Sequence, residues 1–167
     1  MLGKRLELYY RGTVCLVILE LIVLFCIPAT NLDGSGMQRL SAYVMAMLFW
    51  GSIAVEVACT YLFTKERKRM EKKGYRVKKI NHSYSGIITF FSNPEARVMD
   101  LALFLSLILV IILVLAQVKA GWLILSCVSL LFVSFNFHCI LNGKNYRYLK
   151  IVRLYKKEQK QNEKNSH

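Results

Sequence analysis

The chain has 167 residues, 55% of them hydrophobic, and a formal net charge of +13; its mean hydropathy is +0.38. Soluble domains average about 45–50% apolar residues, so the bilayer is the expected solvent. Four long apolar stretches take up just over half of the chain, which excludes a soluble catalytic domain of ordinary size beside them.

A membrane span needs about 20 mostly apolar residues. The first candidate runs from Gly12 to Asn31. It starts after Arg11, has full span length and lacks a small-x-small cleavage pattern, so it reads as a retained helix and not a cleaved leader. Pro28 lies near its far end, and the Asn-Leu-Asp-Gly-Ser-Gly run from Asn31 signals a turn. The second span covers Leu40 to Thr64; by composition Lys65 to Lys73 continues its helix, with Gly74 as the stop. Ile87, Ile88, Phe90 and Phe91 form an apolar cluster too short to span, suited to the inner leaflet. Ser92 or Asn93 is placed to cap a third helix, with Pro94 in its first turn and Glu95 at its positive dipole end. That helix covers 94–117 and the fourth covers 120–141. Asn142-Gly143 marks a break, after which Leu149, Val152 and Tyr155 recur at helical spacing between Arg147, Lys150, Arg153 and Lys157. This pattern suits a basic helix lying on an anionic surface. From Glu158 onward no apolar anchor remains and disorder is expected.

Charge gives the orientation. Lys65, Arg67, Lys68, Arg69, Lys72, Lys73, Arg76, Lys78 and Lys79 put nine basic residues into fifteen positions. Together with the N-terminal segment, Arg97 and the tail, one side holds 21 of the 23 Lys and Arg, against Arg39 and Lys119 on the other. The positive-inside rule assigns the richer side to the cytoplasm. The fold class expected is therefore an all-α integral membrane protein. Its four transmembrane helices form two antiparallel hairpins within one membrane domain, both termini cytoplasmic, with a basic loop at 65–93 and a basic tail at 143–167. A bacterial-type cytoplasmic membrane is the expected location.

Few ionisable groups enter the spans, and each is costly there. Glu20 lies eight residues into the first span and Glu56 eight residues before the end of the second, so both sit roughly 12 Å from the same face. Cys59 and Thr60 share the Glu56 face of the second helix; Asp100 enters the third, and Ser134, Asn136 and His138 lie near the cytoplasmic end of the fourth. These eight residues form an expected intramembrane polar layer. It admits three readings: interhelical hydrogen bonding that selects helix partners, a proton or cation site at Glu20 and Glu56, or a metal site. The last lacks Glu-x-x-His or His-rich spacing, and no metal or other cofactor is expected.

No phosphate loop or catalytic triad appears, and the five cysteines all fall inside spans without a C-x-x-C pair. The sequence points to a non-enzymatic membrane component that regulates, protects or binds a partner, of the immunity or defence type, through its basic surface. That surface comprises the nine loop residues with Arg147, Lys150 and Arg153. The alternative is a small oligomeric proton- or cation-coupled transporter or channel using Glu20 and Glu56. Expected partners are the anionic inner leaflet and a membrane or cytoplasmic protein or a second copy; nucleic acid is not expected, since the basic residues flank spans.

Overall fold

The structure, a computed structural model, describes residues 3–26, 35–73, 89–117 and 121–165. Every regular element among them is a helix: α1 (Lys4–Cys26), α2 (Gly36–Lys72), α3 (Pro94–Leu115), α4 (Gly121–Leu141) and α5 (Gly143–Asn165). The first four are long and apolar enough to cross a membrane. Helix is the conformation such segments require, since it satisfies every internal backbone group without water. Pro28, the turn signal through Gly34, Gly74 and the 80–88 stretch lie outside the described residues.

Helix ends follow local chemistry. Gln38 Oε1 accepts from the Ser35 amide at 2.9 Å to start α2. Asn93 Oδ1 accepts from the Ala96 amide at 2.9 Å, and Pro94 takes the first position of α3. At 37 residues α2 extends for about 55 Å, well beyond a hydrocarbon core of about 30 Å, so the charged turns after Thr64 project past it. Between α4 and α5 the chain turns at Gly143, whose φ of 55° is open to glycine and strained for other residues.

Packing follows a seven-residue rhythm. On α2 the buried positions include Ala42, Phe49, Glu56, Phe63 and Met70, and on α1 Leu6, Thr13 and Glu20. A heptad repeat holds one face of a helix against its neighbour in a shallow left-handed crossing. α1 packs chiefly on α2 and α3 chiefly on α4. At Gly12 the first pair comes close: a Cβ there would lie 3.5 Å from Cys59 Sγ. The opposite faces carry exposed Leu21, Ile22, Leu101, Leu105, Ile108 and Ile112, a surface fit for lipid.

Two apolar clusters close the ends. Val23, Phe49 and Ile53 pack with Leu24, Met45, Leu125 and Phe132. At the other end Leu6, Phe63, Met70, Ala96, Phe137 and Ile140 receive Tyr148, Leu149 and Val152 of α5. Leu149 and Val152, assigned from sequence to a lipid surface, are thus buried inside the protein. The tail also departs from expectation: α5 continues to Asn165, through the residues read as disordered.

Candidate functional site

Three sets of polar side chains lie between the helices. The first joins α1, α2 and α4. Glu20 and Glu56 are both fully buried. Ser129 Oγ donates to Glu20 Oε2 at 2.7 Å, while Glu20 Oε1 and both Glu56 oxygens have no hydrogen-bond partner among the described residues. Ser52 lies beside Glu20 and Asn136 beside Glu56, though the bonds seen from them run to carbonyls of their own helices. Ser52 Oγ donates to Phe49 O at 2.8 Å, and Asn136 Nδ2 donates to Phe132 O at 2.9 Å. Each carboxylate is within electrostatic reach of the other, and Cys59 is within reach of Glu56. Thr60, one turn along α2 from Glu56, is buried, and its Oγ1 has no partner among the described residues.

The second set joins α3 and α4. Asp100 Oδ1 meets His138 Nδ1 at 2.6 Å. Asn142 Nδ2 donates to Asp100 at 2.9 and 3.2 Å, and the Phe91 amide donates to Oδ2 at 2.6 Å. With the carboxylate surrounded by donors, the proton of the His–Asp contact is assigned to Nδ1. Phe90 stacks on the imidazole at 4.3 Å, Ser92 Oγ donates to Asn142 Oδ1 at 2.8 Å, and Asn93 Nδ2 donates to Leu141 O at 2.6 Å. The segment before α3 is thereby sealed over the pair. His138 Nε2 is buried without a hydrogen-bond partner among the described residues.

The third set fastens α5. Arg67 is buried; its Nε donates to Asn145 Oδ1 at 3.0 Å and its Nη1 to Glu71 at 2.7 Å. Asn145 Nδ2 donates to Thr64 Oγ1 at 3.2 Å and to Cys139 O at 2.7 Å. One acid from each of three helices also pairs with a cation of α5. Glu7 of α1 pairs with Lys156, Glu71 of α2 lies 2.8 Å from Lys144, and Glu95 of α3 lies 3.8 Å from Arg153, whose guanidinium sits over Tyr10. The hydrogen bond from Lys156 holds the Glu7 carboxyl below the usual carboxylate range against the opposing effect of burial, and Lys144 does the same for Glu71 in the charged extension of α2.

The residues expected to form one layer are therefore divided. Glu20, Glu56, Cys59, Thr60 and Asn136 gather around the α1–α2–α4 contact, whereas Asp100 and His138 pair separately. Ser134 is buried but donates to Leu130 O of its own helix at 2.6 Å. Of the basic surface, Lys65, Lys68, Arg69, Lys72, Lys73 and Lys150 are exposed and Arg147 partly so, while Arg76, Lys78 and Lys79 lie outside the described residues. Arg67 departs from the surface expectation because its guanidinium is captured by Asn145 and Glu71, and Arg153 is half-occupied by Glu95 and Tyr10. Asn145 carried no sequence signal beyond being a polar residue at the start of a basic helix. Among the described residues no group of three His, Cys, Asp or Glu could hold a metal ion.

Comparison of the chain with protein-family models, with curated proteins and with solved structures gives no match.

Proposed function

We propose that the chain is a non-enzymatic four-span protein of a bacterial-type cytoplasmic membrane, and that Glu20 and Glu56 form a proton- or monovalent-cation-binding site coupled to its action. Its spans form two antiparallel hairpins, α1 with α2 and α3 with α4, and both termini are cytoplasmic. The preferred packing within each pair and the one-sided distribution of Lys and Arg support this topology.

One observation carries the functional reading: Glu56 is fully buried with neither oxygen partnered among the described residues, beside a second buried carboxylate. A structural acid gathers donors, as Asp100 does. An acid left without them is stabilised by a proton or cation, and close carboxylates in low dielectric do not both carry charge at ease. Four helices enclose little room, so transport is expected from an oligomer. The test is flux of protons or monovalent cations into vesicles holding the purified protein, with loss in Glu20→Gln and Glu56→Gln. No flux from a folded, correctly inserted sample ends this reading.

A second reading, a partner-binding or regulatory membrane component, is supported by the exposed cations Lys65, Lys68, Lys72 and Lys73 beyond the apolar part of α2. Co-purification from native membranes, lost when these four are changed to Gln, tests it.

A further inference from the structure

Ser52, Glu56, Thr60 and Thr64 follow one another on α2 at four-residue spacing, each about 6 Å further along the axis. Three features make this row more than a stripe of polar residues. It contains Glu56 and Thr60, both buried and both with unpartnered oxygens. It is blocked at one end by Val23, Phe49 and Ile53, which offer no polar group. At the other end it meets a polar closure supplied by a different helix: Asn145 of α5 bonds Thr64, and beyond it Arg67 bonds Asn145.

We propose that this row is a one-sided access path by which protons or hydrated monovalent cations reach Glu20 and Glu56 from the cytoplasm, and that the Asn145–Arg67 contact is its gate. The proposal rests on the reading of Glu20 and Glu56 given above and adds the route and the control point. Hydroxyl oxygens accept from water or coordinate a small cation without carrying charge, which suits intermediate stations. The guanidinium at the mouth disfavours multivalent cations over protons and monovalent ions, since its repulsion scales with their charge. Opening is built into the way α5 is held. Asn145 is two residues from Gly143, the glycine-dependent turn at which α5 begins, and Lys144 between them pairs with Glu71, which also holds Arg67. A swing of the first turn of α5 about Gly143 therefore releases Thr64, Arg67 and Glu71 together.

The test is thiol accessibility in vesicles of known sidedness. Thr60→Cys is made in a background with all five native cysteines replaced and treated with a small, membrane-impermeant cationic methanethiosulfonate. Modification from the α5 side is expected, at least ten-fold faster when Asn145→Ala is added; Val23→Cys, within the apolar block, stays unmodified from that side. Arg67→Gln serves as a second gate variant should Asn145→Ala lose its fold, judged by elution profile and circular dichroism. The proposal is overturned if Thr60→Cys reacts at the same rate with and without a gate variant, reacts from the opposite face, or stays inert while the exposed control Lys68→Cys reacts. Gated modification in a sample without flux leaves the path standing and removes the transport reading; flux without gated modification removes the path.

Discussion

Asp100 and His138 meet at 2.6 Å across the α3–α4 contact, and both side chains are excluded from solvent. Every Asp100 oxygen also receives a donor from Asn142 or the Phe91 amide. The pair therefore positions three elements at once: α3, α4 and the segment leading into α3. Removing one partner strands the other. Asp100→Ala is expected to cost about 3–5 kcal/mol, the range for breaking a buried pair. The double-mutant cycle with His138→Ala should return a coupling above the roughly 0.6 kcal/mol typical of interhelical hydrogen bonds. Unfolding in detergent measures both, and a coupling near zero would remove the pair from any structural role.

The same cooperative logic applies to α5. Leu149 is fully buried against the bundle and Lys150, its neighbour, is exposed. Leu149→Ala should lower stability by about 2–5 kcal/mol through lost burial and the cavity left behind, whereas Lys150→Ala should stay within about 0.5 kcal/mol. A helix lying on lipid would give the reverse pattern, with Leu149→Ala weakening association with anionic vesicles and leaving the thermal midpoint of the bundle unchanged.

Glycines test the helix contacts independently. Gly3 has φ 71°, and a Cβ there would collide with Val152 Cγ2, so Gly3→Ala should destabilise the α1–α5 contact by at least about 1 kcal/mol. At Gly12 the added Cβ meets Cys59 Sγ at an ordinary 3.5 Å. Here Gly12→Ala should be neutral or stabilising by up to about 1 kcal/mol, because the helix interior gains propensity. Equal losses at both positions, read from thermal unfolding, would contradict this contrast.

The four long apolar helices, the Asn93-Pro94 start of α3 and the break at Gly143 were legible because each depends on local chemistry: length of apolar run, a capping acceptor, backbone freedom. The rise per residue puts Glu20 and Glu56 at one depth, whereas in the fold Glu20 lies beside Ser52, a turn from Glu56. Helix rotation was not legible. Whether Asp100 joins Glu56 or leaves it for His138 is decided by interlocking faces that all look apolar in sequence. The tail shows the same limit: a Leu-Val stripe among Lys and Arg reads alike whether it covers lipid or Phe63 and Ile140. Arg67 was hidden by company, because it is a buried cation placed within a run of basic residues.

Acid should loosen α5 first. Glu7 and Glu71 have folded values below their ordinary 4.5, through the hydrogen bonds from Lys156 and Lys144 respectively. The folded state thus binds fewer protons than the unfolded state, so their contribution is complete above about pH 4.5 and is lost as pH falls through the depressed folded values. Both pairs are at least partly open to solvent, which limits each to the surface-pair range of about 0–1 kcal/mol. Amide exchange in α5 should increase on acidification before exchange in α3, and Lys144→Gln with Lys156→Gln should abolish that pH step. An unchanged step in the double variant would assign it to other groups.

Glu56 should behave opposite to Asp100. Asp100 is a hub of donors, so Asp100→Asn replaces an acceptor with a group that cannot satisfy Nδ1 of His138, the Phe91 amide and Asn142 together, and stability falls. Glu56 accepts from nothing among the described residues. Glu56→Gln keeps its size, removes a buried ionisable group near Glu20, and should leave stability unchanged or raise it, as replacement of uncompensated buried charge commonly does. Thermal unfolding of the two isosteric variants side by side measures the difference. A site kept for ligand binding gains stability when its charge is neutralised and loses flux in the same variant. Equal destabilisation by Asp100→Asn and Glu56→Gln would return Glu56 to the structural network and leave Glu20, held by Ser129, as the remaining candidate of the two glutamates.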